Sequence, residues 1–265
     1  MNKRYLGVLM LLPLLIFIFM GGMMLKYGIM ILSLGGLYEF YKVSKKRNIK
    51  PITIVGYILT LIYYFVIGET INSELLIGLL VMGTMIMLCI TVLNTEYNFI
   101  DVAITLLGFF FVSVFFSFIT LVNMKPFGNY LVWFIFLASW LCDTAAYYSG
   151  RLLGKHKLCP KISPNKTIEG SIGGLIGSII ACGIFGIIIN NKSINIPIYN
   201  YFVIGGLCGI LCQFGDLVAS AIKRNVGVKD YSKLIPGHGG ILDRFDSILF
   251  AAIVVYYYIA FILGI

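Results

Sequence analysis

Between Lys223 and Asp246 the chain collects charged, hydroxyl and glycine residues more densely than anywhere else in its 265 residues. The stretch carries Lys223-Arg224, Lys229-Asp230 and Ser232-Lys233. It continues with Pro236-Gly237-His238-Gly239-Gly240 and Asp243-Arg244-Phe245-Asp246. Pro236 breaks the chain, and Gly237, Gly239 and Gly240 let backbone N–H groups approach an anion closely. Asp243 and Asp246 are three apart at the entry to an apolar run, so both can serve one site. Arg244 between them offers a planar fork for phosphate oxygens. Upstream, Asp216, Ser220 and Lys223 or Arg224 share one helical face. Carboxylates for a hard cation, bases for the remaining charge and a glycine turn are what a Mg²⁺-nucleotide site needs. A merely solvated loop has no need of Pro and Gly crowded around His238.

A second stretch, Arg151 to Ser171, is also basic and rich in turn formers. Ser163, Asn165, Lys166 and Thr167 put hydroxyls, an amide and an ammonium together, a surface for phosphate or ribose. Pro164-Asn165 favours a turn, and Thr167 with Glu169-Gly170 leads into a helix whose N-terminus attracts an anion. Taken alone, the stretch suits a basic loop against lipid headgroups equally well. Asp143 lies just upstream, near the end of an apolar helix. Gly154-Lys155 is not a P-loop, because the preceding strand and spaced glycine are absent. Glu39 stands apart beside Tyr38 and Tyr41, where an acid near a helix end is usually interfacial or paired. Five of the six cysteines lie in apolar helices as small hydrophobes. Cys208 and Cys212, one turn apart without a His, read as filler rather than a zinc site. The sixth, Cys159, lies in the basic loop.

The elements that must position these residues are set by composition. The chain is 60% hydrophobic and 12% charged, with a mean hydropathy of +0.97; a soluble domain carries roughly twice that charged fraction. Water cannot solvate such a surface and lipid can. Apolar runs near 20 residues predict an all-α, polytopic integral membrane protein with about nine transmembrane helices. They fall at Tyr5–Gly21, Tyr27–Tyr41, Ile52–Gly68, Glu74–Leu93, Ile100–Val122, Tyr130–Ser149, Ser171–Ile189, Tyr201–Ile222 and Ser247–Leu263. The first lacks a small-x-small cleavage site and reads as a retained helix. With the N-terminus inside, all of the 20 Lys and Arg except Lys26, Lys125 and Lys192 fall on the cytoplasmic side, as the positive-inside rule requires. The net charge of +9 therefore reflects topology and anionic lipid, not nucleic acid, for which there is no basic soluble domain. Residues 1–129 read as scaffold helices and 130–265 as the catalytic region with its cytoplasmic loops.

The segment Ser220-x-Ile222-Lys223-Arg224-x4-Lys229-Asp230-x-Ser232-x2-Ile235-Pro236-x-His238-Gly239-Gly240-Ile241-x-Asp243-Arg244-Phe245-Asp246 resembles the C-terminal motif of the phosphatidate cytidylyltransferases (CDP-diacylglycerol synthases). Asp143-x-x-Ala146-Tyr147 and Ser163-Pro-Asn-Lys-Thr-x-Glu-Gly170 resemble the same family, so the likeness covers about Trp140 to Asp246. It implies a dimeric, multi-pass enzyme of the bacterial inner membrane that joins CTP to phosphatidic acid, releasing pyrophosphate. It implies Mg²⁺, with room for a second cation, on Asp216 and Asp243. Asp246 would be a further ligand or the partner of Arg244. Lys223, Arg224, Lys229 and Arg244 would bind phosphates, with His238 a phosphate donor. Ser163, Asn165, Lys166 and Thr167 would serve CTP or pyrophosphate, and Ser220, Gly239 and Gly240 would line the substrate. Asp143 would support the metal or a lysine. Two rivals are an ion-coupled transporter using Asp143 and Asp216, and a transferase acting on another lipid phosphate. The transporter is weakened by the lack of an internal repeat.

Overall fold

The computed structural model describes residues 15–68, 73–191, 194, 196–237 and 239–265. The helices are α1 (Gly22–Ser44), α2 (Thr53–Val66), α3 (Ser73–Leu93), α4 (Phe99–Met124) and α5 (Gly128–Leu153). Then come α6 (Ile168–Asn190), α7 (Ile198–Asn225) and α8 (Leu242–Tyr257), which runs on through a π turn to Leu263. A short helical stretch, 15–20, precedes α1. The all-α membrane class stands. Six helices among the described residues (α3 to α8, the last counted to Leu263) are long and apolar enough to cross a bilayer. Of the other expected spans, α2 is apolar but only 14 residues long, about 21 Å against a hydrocarbon core of roughly 30 Å. The 23-residue α1 is long enough but carries Lys26, Glu39 and Lys42. The expected span Tyr5–Gly21 lies largely outside the described residues.

Two compact units form, one from the described part of Met1–Met124 with Asn225–Asp243, the other from Lys125–Arg224 with Arg244–Ile265. In the first, hydroxyls fasten the helices inside an apolar core. Thr60 and Ser113 pair at 2.7 Å, Tyr63 and Ser117 at 2.8 Å, and the Tyr41 hydroxyl donates to the Thr105 carbonyl at 2.8 Å. Each such bond satisfies a polar group that would otherwise be costly in lipid. Asn98 and Asp101 close a capping box at the start of α4. Asp101 also accepts the Lys50 amide at 2.6 Å and Thr105 the Ile52 amide at 2.8 Å, which secures the 48–52 turn. Lys26 is buried because its ammonium donates to the Ile67 carbonyl at the end of α2 (2.8 Å).

In the second unit, small residues decide the packing. Gly174 of α6 lies so close to α5 that a Cβ there would stand 3.0 Å from the Cys142 carbonyl. Gly177 meets Ala145 in the same way. Glycine and alanine let two membrane helices approach until their backbones touch, the usual device where lipid gives no hydrophobic drive. This contact brings the end of α5, with Asp143, against the start of α6.

The segment expected to turn at Pro164-Asn165 is instead a strand. β2 (Ser163–Thr167) pairs antiparallel with β1 (Lys157–Cys159), with Lys157 opposite Thr167 and Cys159 opposite Ser163. The reversal falls at 160–162, where the Ile162 amide donates to the Cys159 carbonyl (3.1 Å). Proline is tolerated in β2 because a two-stranded ribbon has an edge that needs no N–H.

Candidate functional site

The second unit contains a cavity of about 430 Å³ whose walls come from five elements, β1 contributing Leu158. α5 supplies Asp143, Tyr147 and Arg151; β2 supplies Asn165, Lys166 and Thr167; α6 supplies Ser171; α7 supplies Gln213 and Asp216. The hairpin aims its residues here because Thr167 ends β2 and caps α6, its Oγ1 accepting the Gly170 amide at 3.1 Å. Glu169 folds back to accept the Lys155 and His156 amides at 3.1 and 3.2 Å and contacts His156 Nδ1 at 2.7 Å, holding the base of the hairpin to the helix. Loss of the cap in Thr167→Val is expected to cost about 1 kcal/mol. Thermal unfolding in detergent reads that loss, and an unchanged midpoint would speak against the cap.

Opposite charges meet in the cavity. The Lys166 ammonium forms an ion pair with Asp216, and both side chains keep about a quarter to a third of their surface open. Ser220, one turn along α7, donates to Asp216 Oδ1 at 3.3 Å. The helical face proposed for Asp216 and Ser220 is thus present. Asp143 accepts from the Ser247 hydroxyl at 3.2 Å, and Ser247 pairs with Ser139 at 2.7 Å. The charges acting on Asp143 include Asp216, Lys166 and Arg244, whereas Asp246 feels Asp216, Asp143 and the buried Lys223. Lys223 is a cation that acts on Asp246. Arg224 reaches the hairpin, its Nε donating to the Ile162 carbonyl at 3.3 Å.

Gln213 and Ser171 complete the floor. The Ser171 hydroxyl donates to Gln213 Oε1 at 2.5 Å, and Gln213 Nε2 donates to the Ser171 and Gly209 carbonyls at 3.1 and 2.8 Å. Neither was assigned a role from the sequence, nor were Ser139, Ser247, Tyr147 and Arg151. The available signal was position. Gln213 stands three residues before Asp216 in the otherwise apolar run 201–215 of α7.

The glycine-rich loop belongs to the first unit. Ile235 and Gly239 form an isolated bridge, the Ile235 amide donating to the Gly239 carbonyl at 2.8 Å. Gly237 and Gly239 have φ of 77° and 85°, a left-handed backbone that favours glycine. Asp243, in the first turn of α8, accepts the Tyr231 and Gly240 amides on Oδ2 at 2.8 and 2.9 Å. The Gly240 amide is therefore committed to a protein carboxylate rather than held out for an anion. Lys229 is exposed beside the loop, and His238 lies outside the described residues.

The donors suit a hard cation. Asp216 offers a carboxylate to the cavity, and Asp243 is oriented by two N–H bonds, as metal-binding carboxylates commonly are. Among the described residues no three acids or other metal-binding side chains form a ready cage. Mg²⁺ does not require one, since one or two carboxylates with substrate phosphates complete its octahedron.

The fold and cavity define a class: a polytopic membrane protein with acids and a lysine gathered where the helices meet a hairpin. Residues 2–262 match the model of the cytidylyltransferase family. The chain is 39% identical over 236 residues to the phosphatidate cytidylyltransferase of Staphylococcus saprophyticus, covering 86% of this chain and 88% of that one. It is 33% identical over 270 residues to the phosphatidate cytidylyltransferase of Bacillus subtilis, covering 98% of each. The chain belongs to the cytidylyltransferase family.

Proposed function

We propose that the chain is a phosphatidate cytidylyltransferase, making CDP-diacylglycerol and pyrophosphate from CTP and phosphatidic acid within a membrane. The observation that carries the chemistry is the Lys166–Asp216 pair in a cavity walled by the hairpin and α7. An oxygen of the lipid phosphate attacks the α-phosphorus of CTP. A new P–O–P bond forms, the α–β bridging P–O bond breaks, and pyrophosphate leaves with the electron pair. The nucleophile is already an anion, so little base catalysis is needed; alignment and cancelled repulsion are the task. Lys166, Asn165 and Thr167 hold nucleotide phosphate or pyrophosphate, and Lys223, Arg224, Lys229 and Arg244 neutralise the remaining charge. Asp216 and Asp243 are the carboxylates that would hold Mg²⁺, which would supply positive charge to offset that of the phosphates.

The lipid must stay in the bilayer while its headgroup reacts, because bringing acyl chains into water costs about 0.8 kcal/mol per CH₂. An apolar groove of about 320 Å³, lined by Leu175, Ile210, Phe214 and Leu217, shares Leu158, Ser171 and Gln213 with the polar cavity. We assign it to an acyl chain. Filling it in Ile210→Trp is expected to raise KM for phosphatidate about tenfold, some 1.4 kcal/mol, with KM for CTP unchanged. Equal changes in both constants would remove the assignment. The excess of Lys and Arg in these loops supports a cytoplasmic active site in a bacterial inner membrane, and the family resemblance alone supports a homodimer.

Product analysis separates this reading from a transferase for another lipid phosphate. Purified protein offered CTP with phosphatidate, or with an isoprenoid phosphate, should load only the first. Preference for the isoprenoid would overturn the substrate assignment, and activity dependent on an ion gradient would favour a transporter.

A further inference from the structure

Glu39 is fully buried in α1, yet among the described residues no cation pairs with it. Among the described residues its hydrogen-bond partners lie in the glycine-rich loop and at the start of α8. Oε1 accepts the Ser232 hydroxyl at 2.5 Å and the Ile241 amide at 2.9 Å, and Oε2 accepts the Leu242 amide at 2.9 Å. Ile241 and Leu242 carry N–H groups that an α-helix cannot satisfy from within. A carboxylate from a helix some two hundred residues earlier serves as their cap. The seat is shaped for it. A Cβ on Gly240 would lie 2.5 Å from Glu39 Oε2, and one on Gly36, a turn before Glu39, would lie 3.1 Å from the Leu242 side chain.

We propose that Glu39 is a positioning residue for the transfer reaction, acting through the loop that presents Asp243. The proposal rests on the cytidylyltransferase reading above. Glu39 fixes Ser232, Ile241 and Leu242, while Asp243 fixes Tyr231 and Gly240. The two carboxylates interleave along one loop, so neither bond set keeps its place when the other is lost. An apolar contact could hold α1 against the loop with similar strength. It could not set the direction of three N–H and O–H groups, which is what a buried, hydrogen-bonded carboxylate does.

Glu39→Gln tests this with little change of volume. The amide keeps one acceptor oxygen and places donors against donors. The variant should fold and elute like wild type but lose kcat about 100-fold, the scale of a misplacement near 1 Å, with KM for CTP within about threefold. Deuterium uptake should quicken in the loop and at the start of α8, and stay unchanged in α5 to α7. Wild-type kcat, or uptake rising equally throughout α1 and α4, would overturn the proposal. Should Glu39→Gln not fold, Ser232→Ala carries the test, because it removes one of the three bonds and leaves both backbone bonds. A kcat loss of about tenfold is then expected, the low end for one bond to a charged group, and unchanged kcat would overturn the proposal. A wild-type protein that forms no CDP-lipid would defeat the functional reading instead, with the exchange measurement still deciding whether Glu39 holds the loop.

Discussion

Asp216→Asn should abolish turnover, by on the order of a thousandfold, while leaving the fold intact. The side chain keeps its shape, and Ser220 can still donate to the remaining carbonyl oxygen from 3.3 Å. What goes is the charge. Lys166 loses its ion-pair partner, and the cavity loses the carboxylate assigned to Mg²⁺. A pair that keeps about a quarter to a third of its surface open contributes modestly to stability, so the unfolding midpoint should move by only a few degrees. Catalysis depends on the same charge far more steeply, because it acts on phosphate anions away from bulk water. CDP-lipid assay beside a thermal melt separates the two effects. Retention of more than about a tenth of wild-type activity would remove Asp216 from the metal role.

Asp243→Ala should fail in both respects. Its Oδ2 accepts the Tyr231 and Gly240 amides, so removing it strips two charge-assisted bonds from the loop as well as a proposed metal ligand. At about 1.5–3 kcal/mol for each bond to a charged group, the expected destabilisation is roughly 3–6 kcal/mol, discounted where water replaces the carboxylate. Activity should fall by a thousandfold or more. Asp243→Asn is the informative companion. Both amides meet the single oxygen Oδ2, so an Asn carbonyl in its place still accepts them without the charge, and the variant should recover part of the stability and little of the activity. Full activity in Asp243→Asn would show that only the loop bonds matter.

Much of this was legible before the structure. Apolar runs specify membrane helices because lipid leaves few other solutions for the backbone. Helical spacing placed Ser220 beside Asp216, and Thr167 with Glu169-Gly170 pointed to a helix beginning just after them. The hairpin was not legible, because β1 and β2 are too short for alternation to register and Pro164-Asn165 argues for a turn. Nor was the part of Gly240. Glycines near charge suggest an anion cradle, but here the absent Cβ makes room for Glu39 and the amide goes to Asp243. Glu39 itself looked like an acid at a membrane edge. Its partners lie 193 to 203 residues away, and a contact of that separation leaves no local pattern in one sequence. Gln213 and Ser171 were missed for a related reason, since their bond depends on how closely glycine lets the helices of the second unit pack.

In the reaction the α-phosphate of CTP passes to a lipid phosphate. Purified protein in phosphatidate-containing vesicles with Mg²⁺ should be given CTP labelled at either the α- or the γ-phosphorus. The α label should appear in the lipid and the γ label in pyrophosphate, in equal amounts. A γ label in the lipid, or no label there at all, would rule out this transfer.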